Sequence, residues 1–434
     1  MKVIVIGAGA AGLMAAKELA VNGAEVMVLE ARDRIGGRVQ TFEHNGIVCE
    51  GGAEFIHGNL DVTIKALDEA NIGYTEMDGE FWQVEEGQWS SGQQSFEHED
   101  LLMEKLKALK DNISIARFLQ QEFAGSQFSD LRASLLSYIE GYYAGHAERM
   151  SAMAFYVEWM NEDEQQYRVE GGYKKLMAAL CRQIEANRGS LKLDTPVKLI
   201  QWSTNQVSVT DVSGAVYNAD KCVITIPLGV WRAGEDEPGA IMFSPELPAK
   251  RAAALKAGFG SAIKVLLYFK EAFWKDEQLL LKLNRNISNA SFVFSGQPVP
   301  TWWTQLPKQV AMLTGWLAGP KADAYKQAPD EAILEAALVS LQSIFQLPGD
   351  ELQRLLEHSE VFNWPADPFT RGGYAYSTVD TSEARKVLMA PENETLYFAG
   401  DGFYDGPEMG TVESALHSGL DAARHLLSLH PNGE

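Results

Sequence analysis

Val3-Ile4-Val5-Ile6-Gly7-Ala8-Gly9-Ala10-Ala11-Gly12 stands at the start of the chain, and Glu25-Val26-Met27-Val28-Leu29-Glu30 follows thirteen residues after Gly12. The apolar run Val3–Ile6 has the continuous pattern of a parallel strand buried on both faces. Gly7, Gly9 and Gly12 make a tight turn into a helix on which Leu13, Ala16, Leu19 and Ala20 recur at helical spacing. Gly23 stands where that helix should stop. A second strand then ends at Glu30. Strand, glycine turn, helix and strand together predict a Rossmann-like unit that binds a dinucleotide.

Each glycine has a physical task. The first permits the tight turn, the second lets backbone approach a pyrophosphate, and the third lets helix and strand pack closely. Ala11 lies in the first helical turn, whose free N–H groups suit phosphate. Glu30 lies eighteen residues after Gly12, close to the ~20 expected of an acid that accepts from a ribose hydroxyl. The glycine motif alone leaves NAD and FAD open.

Bulk properties bound the rest. The chain has 434 residues, 46% apolar and 22% charged. It is long enough for two or three domains of about 150 residues. The net charge of -22 argues against nucleic acid and anionic membrane as partners. It suits a cationic substrate or simply a well-solvated surface. Runs such as Glu235–Glu237 and Asn161–Glu164 read as solvated loops or helix ends. Cys49, Cys181 and Cys222 are odd in number and widely spaced, so neither a disulfide framework nor a metal site is expected. With no leader pattern before Val3, a reducing, cytoplasmic setting fits. No run of about 18 apolar residues predicts a membrane helix.

Further along, helices are expected over about 101–121, 131–141, 174–186, 245–258, 331–345 and 412–427. Strands are expected over 191–197, 206–211, 215–218, 221–226, 262–269 and 396–399. The stretch 74–92 has no clear period.

Glu30-Ala31-Arg32-Asp33-Arg34-Ile35-Gly36-Gly37-Arg38 continues from the second strand, and Glu50-Gly51-Gly52-Ala53-Glu54-Phe55-Ile56-His57-Gly58 follows it. Later come Val169-Glu170-Gly171-Gly172-Tyr173, Thr195-Pro196-Val197 and Val223-Ile224-Thr225-Ile226-Pro227-Leu228-Gly229-Val230. The last blocks are Ile263-Lys264-Val265, Phe362-Asn363-Trp364-Pro365, Arg371-Gly372-Gly373-Tyr374, Leu396-Tyr397-Phe398-Ala399-Gly400-Asp401 and Gly410-Thr411-Val412. Together these resemble the flavin-containing amine oxidases, a superfamily that includes monoamine oxidases, polyamine oxidases and lysine-specific demethylases. The pattern is most similar to the polyamine-oxidase branch.

The resemblance implies FAD as cofactor and gives each block a role. Gly7, Gly9, Ala11, Gly12, Glu30, Ala31, Arg32, Gly37 and Arg38 would hold the ADP part, although Arg32 and Arg38 could also be surface arginines. Gly52, Ala53 and Glu54 would run along the flavin ring. Val197 would meet adenine, with Pro227 close to the cofactor. Gly400 and Asp401 would face the ribityl–phosphate portion. Thr411 and Val412 would aim the last helix at the flavin, where a positive helix end suits growing negative charge.

Lys264 is the expected catalytic residue. In the family this lysine reaches the flavin N5 through a water, whereas a lysine at a strand edge would put its head in solvent. His57, Trp364 and Tyr374 are expected at the substrate. His57 reads equally as a satisfied structural histidine, and the two aromatics read alternatively as core. Two departures stand out. Gly373 occupies the position of the cysteine that bonds flavin in monoamine oxidases, so non-covalent FAD is expected. Thr411 replaces a tyrosine of their aromatic cage.

The resemblance implies an α/β (α+β overall) architecture. It would have a discontinuous FAD-binding domain (1–75, 190–262, 375–434) and a substrate-binding domain of mixed sheet and helices (76–189, 263–374). The implied reaction is oxidation of an amine C–N bond to an imine by hydride transfer, with dioxygen reoxidising the flavin to give hydrogen peroxide. An L-amino-acid oxidase, a flavin desaturase or dehydrogenase, and a catalytically silent flavoprotein are the alternatives. Oligomeric state is not legible.

Overall fold

Alternate side chains of the first strand, Lys2–Ile6, enter two different cores. Val3 and Val5 pack with Leu13, Leu19 and Leu416, while Ile4 and Ile6 pack with Ile200, Ile224 and Phe398. A strand buried on both faces must be continuously apolar. It sits at the centre of a five-stranded parallel sheet, in the order Ser190–Lys192, Glu25–Leu29, Lys2–Ile6, Lys221–Ile224, Leu396–Phe398. The computed structural model describes residues 1–58, 60–92, 96–161 and 165–429. Most of the acidic run at 161–164 lies outside them.

The first helix, Ala10–Val21, is covered by two others, Lys174–Ala186 and Val412–Ser428. The expected boundary put Lys174–Ala186 in the substrate-binding part. Its Leu176, Met177, Leu180 and Ile184 instead close the core of the parallel sheet. Their helical spacing is an ordinary apolar stripe and carries no sign of which sheet it covers.

A second, seven-stranded sheet runs Leu356–Asn363, Ala262–Phe269, Met312–Ala318, Thr301–Trp303, Ala290–Ser295, Glu80–Glu85, Gln88–Ser91. Its pairings are antiparallel except that Ala290–Ser295 lies parallel to Glu80–Glu85. In the strand Ala262–Phe269, Ile263, Val265 and Leu267 face a core closed by the helix Asp330–Phe345. Lys264, Leu266 and Tyr268 share the other face. There Leu266 and Tyr268 meet Cys49, on the hairpin Thr41–His44/Ile47–Glu50. A lobe of helices, Glu99–Lys107, Ile115–Glu122, Ser129–Tyr142 and Ala152–Asn161, has its own aromatic-rich core.

Three local expectations need correction. The helix over 101–121 is two helices, because Ser114 caps the second by accepting from Arg117 N. The strand over 191–197 stops at Lys192, where Asp194 turns with φ 49 and Pro196 has no N–H to give. Pairing resumes over Val197–Ser203. The unassigned 74–92 holds three short strands, two of them joined through Glu86 and Gly87, both at positive φ, the geometry of a type I′ hairpin. Among the described residues, no single helix is long and apolar enough to cross a membrane.

Candidate active site

A cavity of about 1450 Å³ runs from the glycine turn, between the two large sheets, to the helical lobe. That exceeds the roughly 300–1,000 Å³ of a pocket for one small ligand. Every residue the sequence singled out for a site lines it, except Gly12. A Cβ on Gly12 would fall 1.9 Å from the Gly7 carbonyl oxygen, so its task is close packing alone. Gly7 turns with φ +103, where a side chain is strained. Gly9 differs: the nearest atom to its Cβ position is the Gly36 oxygen at 3.9 Å.

Gly9 is the N-cap of the first helix, and no side chain caps that end. The helix N-terminus therefore opens on the cavity with its N–H groups and positive dipole end uncovered by carboxylate. Glu30 is buried at the tip of its strand, accepting from Ala8 N at 2.7 Å and Arg32 N at 3.0 Å. Ala31 and Gly37 flank it, and Val197 and Pro227 form the wall across. At the far side, Thr411 caps the last helix in a reciprocal box with Ser414. Gly400, Thr411 and Val412 present that second helix end to the same space.

The two arginines line the cavity but are held by carboxylates. Arg32 donates to Asp367 at 2.5 Å and Thr370 at 2.8 Å. Arg38 makes a two-pronged pair with Asp401 at 2.6 and 2.8 Å and donates to the Gly373 carbonyl at 2.9 Å. Burial pushes the Asp401 carboxyl up, but the Arg38 guanidinium outweighs it and holds the group below the usual carboxylate range. Asp401 also accepts from Ala375 N, so its oxygens are engaged before any ligand arrives.

The middle of the cavity carries the lysine. Lys264 is 1% exposed, which excludes a head in solvent. Its Nζ donates to the Glu50 and Gly52 carbonyls, both at 2.9 Å, and to Glu54 Oε2 at 2.5 Å. Glu54 Oε1 accepts from Arg168 and from Trp303 Nε1 at 3.2 Å. Arg168 also reaches Gln305 Oε1 and the Thr304 carbonyl, both at 3.0 Å. Burial raises the Glu54 carboxyl, yet Lys264 and then Arg168 bring it below its ordinary value. Glu50, beside this group, goes the other way: burial pushes it up to about 7 against donors from Thr41 and Tyr173 N.

Aromatic side chains wall the space next to the lysine. Trp364 donates to the Gly51 carbonyl at 3.0 Å, and Tyr374 donates to the Tyr142 carbonyl at 2.6 Å. Tyr374 lies parallel to Trp316, ring centres 6.3 Å apart. His57 packs edge-on to Phe55 and Tyr142, and burial pushes its pKa down to about 4. Sequence reasoning missed Arg168, Trp303, Trp316 and Tyr142. Arg168 stands directly before the quoted Val169-Glu170-Gly171-Gly172 block. Its strand, Gln166–Val169, pairs with Phe55–His57, a register that no local pattern reveals.

These residues fit FAD. Two uncapped or dipole-exposing helix ends, a buried acid at the tip of the second strand and a cavity too large for one small molecule are what a dinucleotide needs. Among the described residues no cysteine lines the cavity. A Cβ on Gly373 would sit 2.6 Å from that of Ala262, so a flavin-bonding cysteine has no room there.

Comparison with known proteins agrees. Rice polyamine oxidase 4 (Oryza sativa subsp. japonica) is 25% identical, the match covering 97% of this chain and 87% of that one. Polyamine oxidase 2 of Arabidopsis thaliana is 28% identical with the same coverage. The structure of putrescine oxidase bound to putrescine superposes with a TM-score of 0.79 over 99% of both chains at 19% identity, a likeness of fold. The family model described as flavin containing amine oxidoreductase matches residues 10–81 and 74–427, nearly the whole chain, and this protein therefore belongs to that family, as an FAD-dependent oxidoreductase that acts on amines.

Proposed function

We propose that this enzyme oxidises a di- or polyamine and passes the electrons to dioxygen. The observation that carries the reading is the charge pattern along the cavity. Glu85, Glu99 and Glu158 line its end between the hairpin Glu80–Ser91 and the helical lobe. The cations Arg32, Arg38 and Lys264 are each paired with a carboxylate. A long substrate with one nitrogen at the aromatic wall thus finds acids for its distal ammonium groups. The relatives named polyamine oxidase support the same substrate class.

Bound FAD supplies the acceptor for a hydride from the carbon next to nitrogen. The chain's own residues do the rest. Trp364, Tyr374 and Trp316 shape an apolar slot that favours the neutral amine, whose lone pair drives C–H cleavage; a free amine titrates near ~10.4. His57, held neutral by burial, adds no charge there. The balance is R–CH2–NH–R′ + O2 → R–CH=N–R′ + H2O2, followed by hydrolysis of the imine to aldehyde and amine. Three cysteines, none in a disulfide, support a reducing, cytoplasmic setting.

A peroxide assay in air across monoamines, diamines, polyamines and L-amino acids tests the proposal. Diamines or polyamines are expected to give kcat/KM at least tenfold above monoamines. The amino-acid alternative has one feature in its favour: Lys321 lines the cavity and, among the described residues, has no carboxylate within 4.0 Å. Peroxide formed only with L-amino acids would replace the amine reading with that one.

A further inference from the structure

The buried ion cluster around Lys264 has an arithmetic that constrains what the lysine can do. An ammonium has three N–H donors and no acceptor. All three are met by protein oxygens, at the Glu50 carbonyl, the Gly52 carbonyl and Glu54 Oε2. A neutral amine, with two N–H groups, cannot satisfy three acceptors. Both Glu54 oxygens are also engaged, one by Lys264 and the other by Arg168 and Trp303. Lys264 keeps no free N–H, and Glu54 keeps one acceptor site, on Oε2. Arg168 is anchored in turn on Gln305 and Thr304, which follow the strand Thr301–Trp303; the strand Met312–Ala318 lies between that one and the lysine strand. Lys264, Glu54 and Arg168 together sum to one positive charge on the cavity wall at Gly52–Glu54, which the neighbouring Glu50 carboxyl, pushed up to about 7 by burial, leaves uncompensated below that pH.

We propose that Glu54 and Arg168 are positioning residues for Lys264, which they hold as a fixed ammonium in the cavity wall. The buried carboxylate keeps the lysine charged, and the arginine keeps the carboxylate from neutralising it. Alone, a Lys–Glu pair would cancel. The second cation leaves a surplus positive charge, which favours a neighbouring group that gains negative charge when it accepts electrons. The proposal rests on the flavin occupying this cavity. A colourless protein would sink that reading, whereas a yellow protein lacking the shifts below sinks only this one.

The test uses the FAD-loaded protein and the variants Glu54→Gln, Lys264→Met, the double variant, Arg168→Met and Arg168→Lys. The readouts are flavin content, the midpoint potential of the bound flavin and the split of kcat from KM. Lys264→Met and Arg168→Met each remove one positive charge and should lower the potential. Glu54→Gln removes the negative charge and should raise it. Arg168→Lys should restore the parent value. Turnover should fall at least tenfold in Glu54→Gln and in Lys264→Met, and the double variant should be within threefold of the slower single one, because both changes disable one unit. A merely structural role would cost flavin and thermal stability without opposed potential shifts. Shifts of the same sign, multiplying losses, or a Glu54→Gln defect confined to KM would overturn the proposal. If Glu54→Gln does not fold, the arginine pair decides. A potential lowered in Arg168→Met and restored in Arg168→Lys supports the proposal, and a parent-like potential in both refutes it.

Discussion

The two ends of the cavity are built by different means. The phosphate end is backbone: a glycine turn, an uncapped helix N-terminus and the tip of a neighbouring strand, supplied by residues 2–38. The lysine end is side chains. Glu54, Arg168, Lys264 and Trp303 come from four separate segments and meet only through sheet register. An ion pair marks each end, yet the two differ in redundancy. Among the described residues Asp401 has Arg38 as its one charged partner, whereas Glu54 has both Lys264 and Arg168. Backbone sites therefore fail by steric clash, and the side-chain site fails by uncompensated charge.

The largest expected effect separates two glycines of one motif. Gly12→Val drives a side chain into the Gly7 carbonyl, and the expected result is loss of soluble folded protein. Gly9→Val meets no protein atom closer than 3.9 Å at its Cβ. It should therefore leave an apoprotein that melts within a few degrees of the parent but carries no FAD. Thermal melts of both apoproteins, with flavin content by absorbance, check this. Equal melting temperatures would break the distinction between a packing glycine and a ligand glycine.

Next in size is the contrast between the ion pairs. Arg38→Met leaves Asp401 buried with only a backbone donor, and breaking a buried pair this way costs roughly 3–5 kcal/mol. Lys264→Met leaves Glu54 held by Arg168 and Trp303, so its cost should be smaller by at least ~1 kcal/mol. Denaturant melts of the two apoproteins measure it. A larger loss in Lys264→Met would mean that Arg168 does not support Glu54.

This contrast also explains what was legible in the sequence. The parallel sheet, the glycine turn and the capped last helix follow from local patterns, and so does the strand that carries Lys264. Burial of Lys264 stayed open against a strand-edge lysine with its head in solvent, and the structure decides it. Its partners did not follow, because an arginine at 168 and a glutamate at 54 show no period. Only the pairing of Phe55–His57 with Gln166–Val169 makes them neighbours. The aromatic wall was half legible: Trp364 and Tyr374 stand in recognisable blocks, while Trp303 and Trp316 lie on strands that the sequence reading did not assign. The helix Lys174–Ala186 was placed with the wrong sheet for the same reason, since an apolar stripe specifies burial and not its partner.

Glu50 sharpens the comparison through pH. Its carboxyl is raised from 4.5 to about 7 in the folded protein. The unfolded chain thus releases this proton first, and stability falls as pH rises from about 4.5 to about 7. That loss is on the order of 3 kcal/mol. Glu50→Gln keeps an acceptor for Tyr173 N and removes the proton. The variant should gain on the parent by about that amount between pH 4.5 and 7.5, as followed by denaturant melts. Parallel stability curves would mean that Glu50 is not the titrating group.

The smallest expected effect concerns His57. Its folded value of about 4 lies below the ordinary 6.5. Its contribution is complete above pH 6.5 and is lost as pH falls toward 4, because the unfolded chain takes up the proton first. Through the range where an amine oxidase turns over, the ring should stay neutral. Replacing it should then leave the shape of the pH profile untouched, whatever it does to substrate fit. The expectation for His57→Gln is a kcat/KM profile between pH 6 and 9 that superposes on the parent's after scaling, within a factor of about two. An acid limb near pH 6.5 that vanishes in the variant would show a ring that titrates in the open. The apolar slot would then be wet, and exclusion of water could no longer account for the neutrality of the substrate amine.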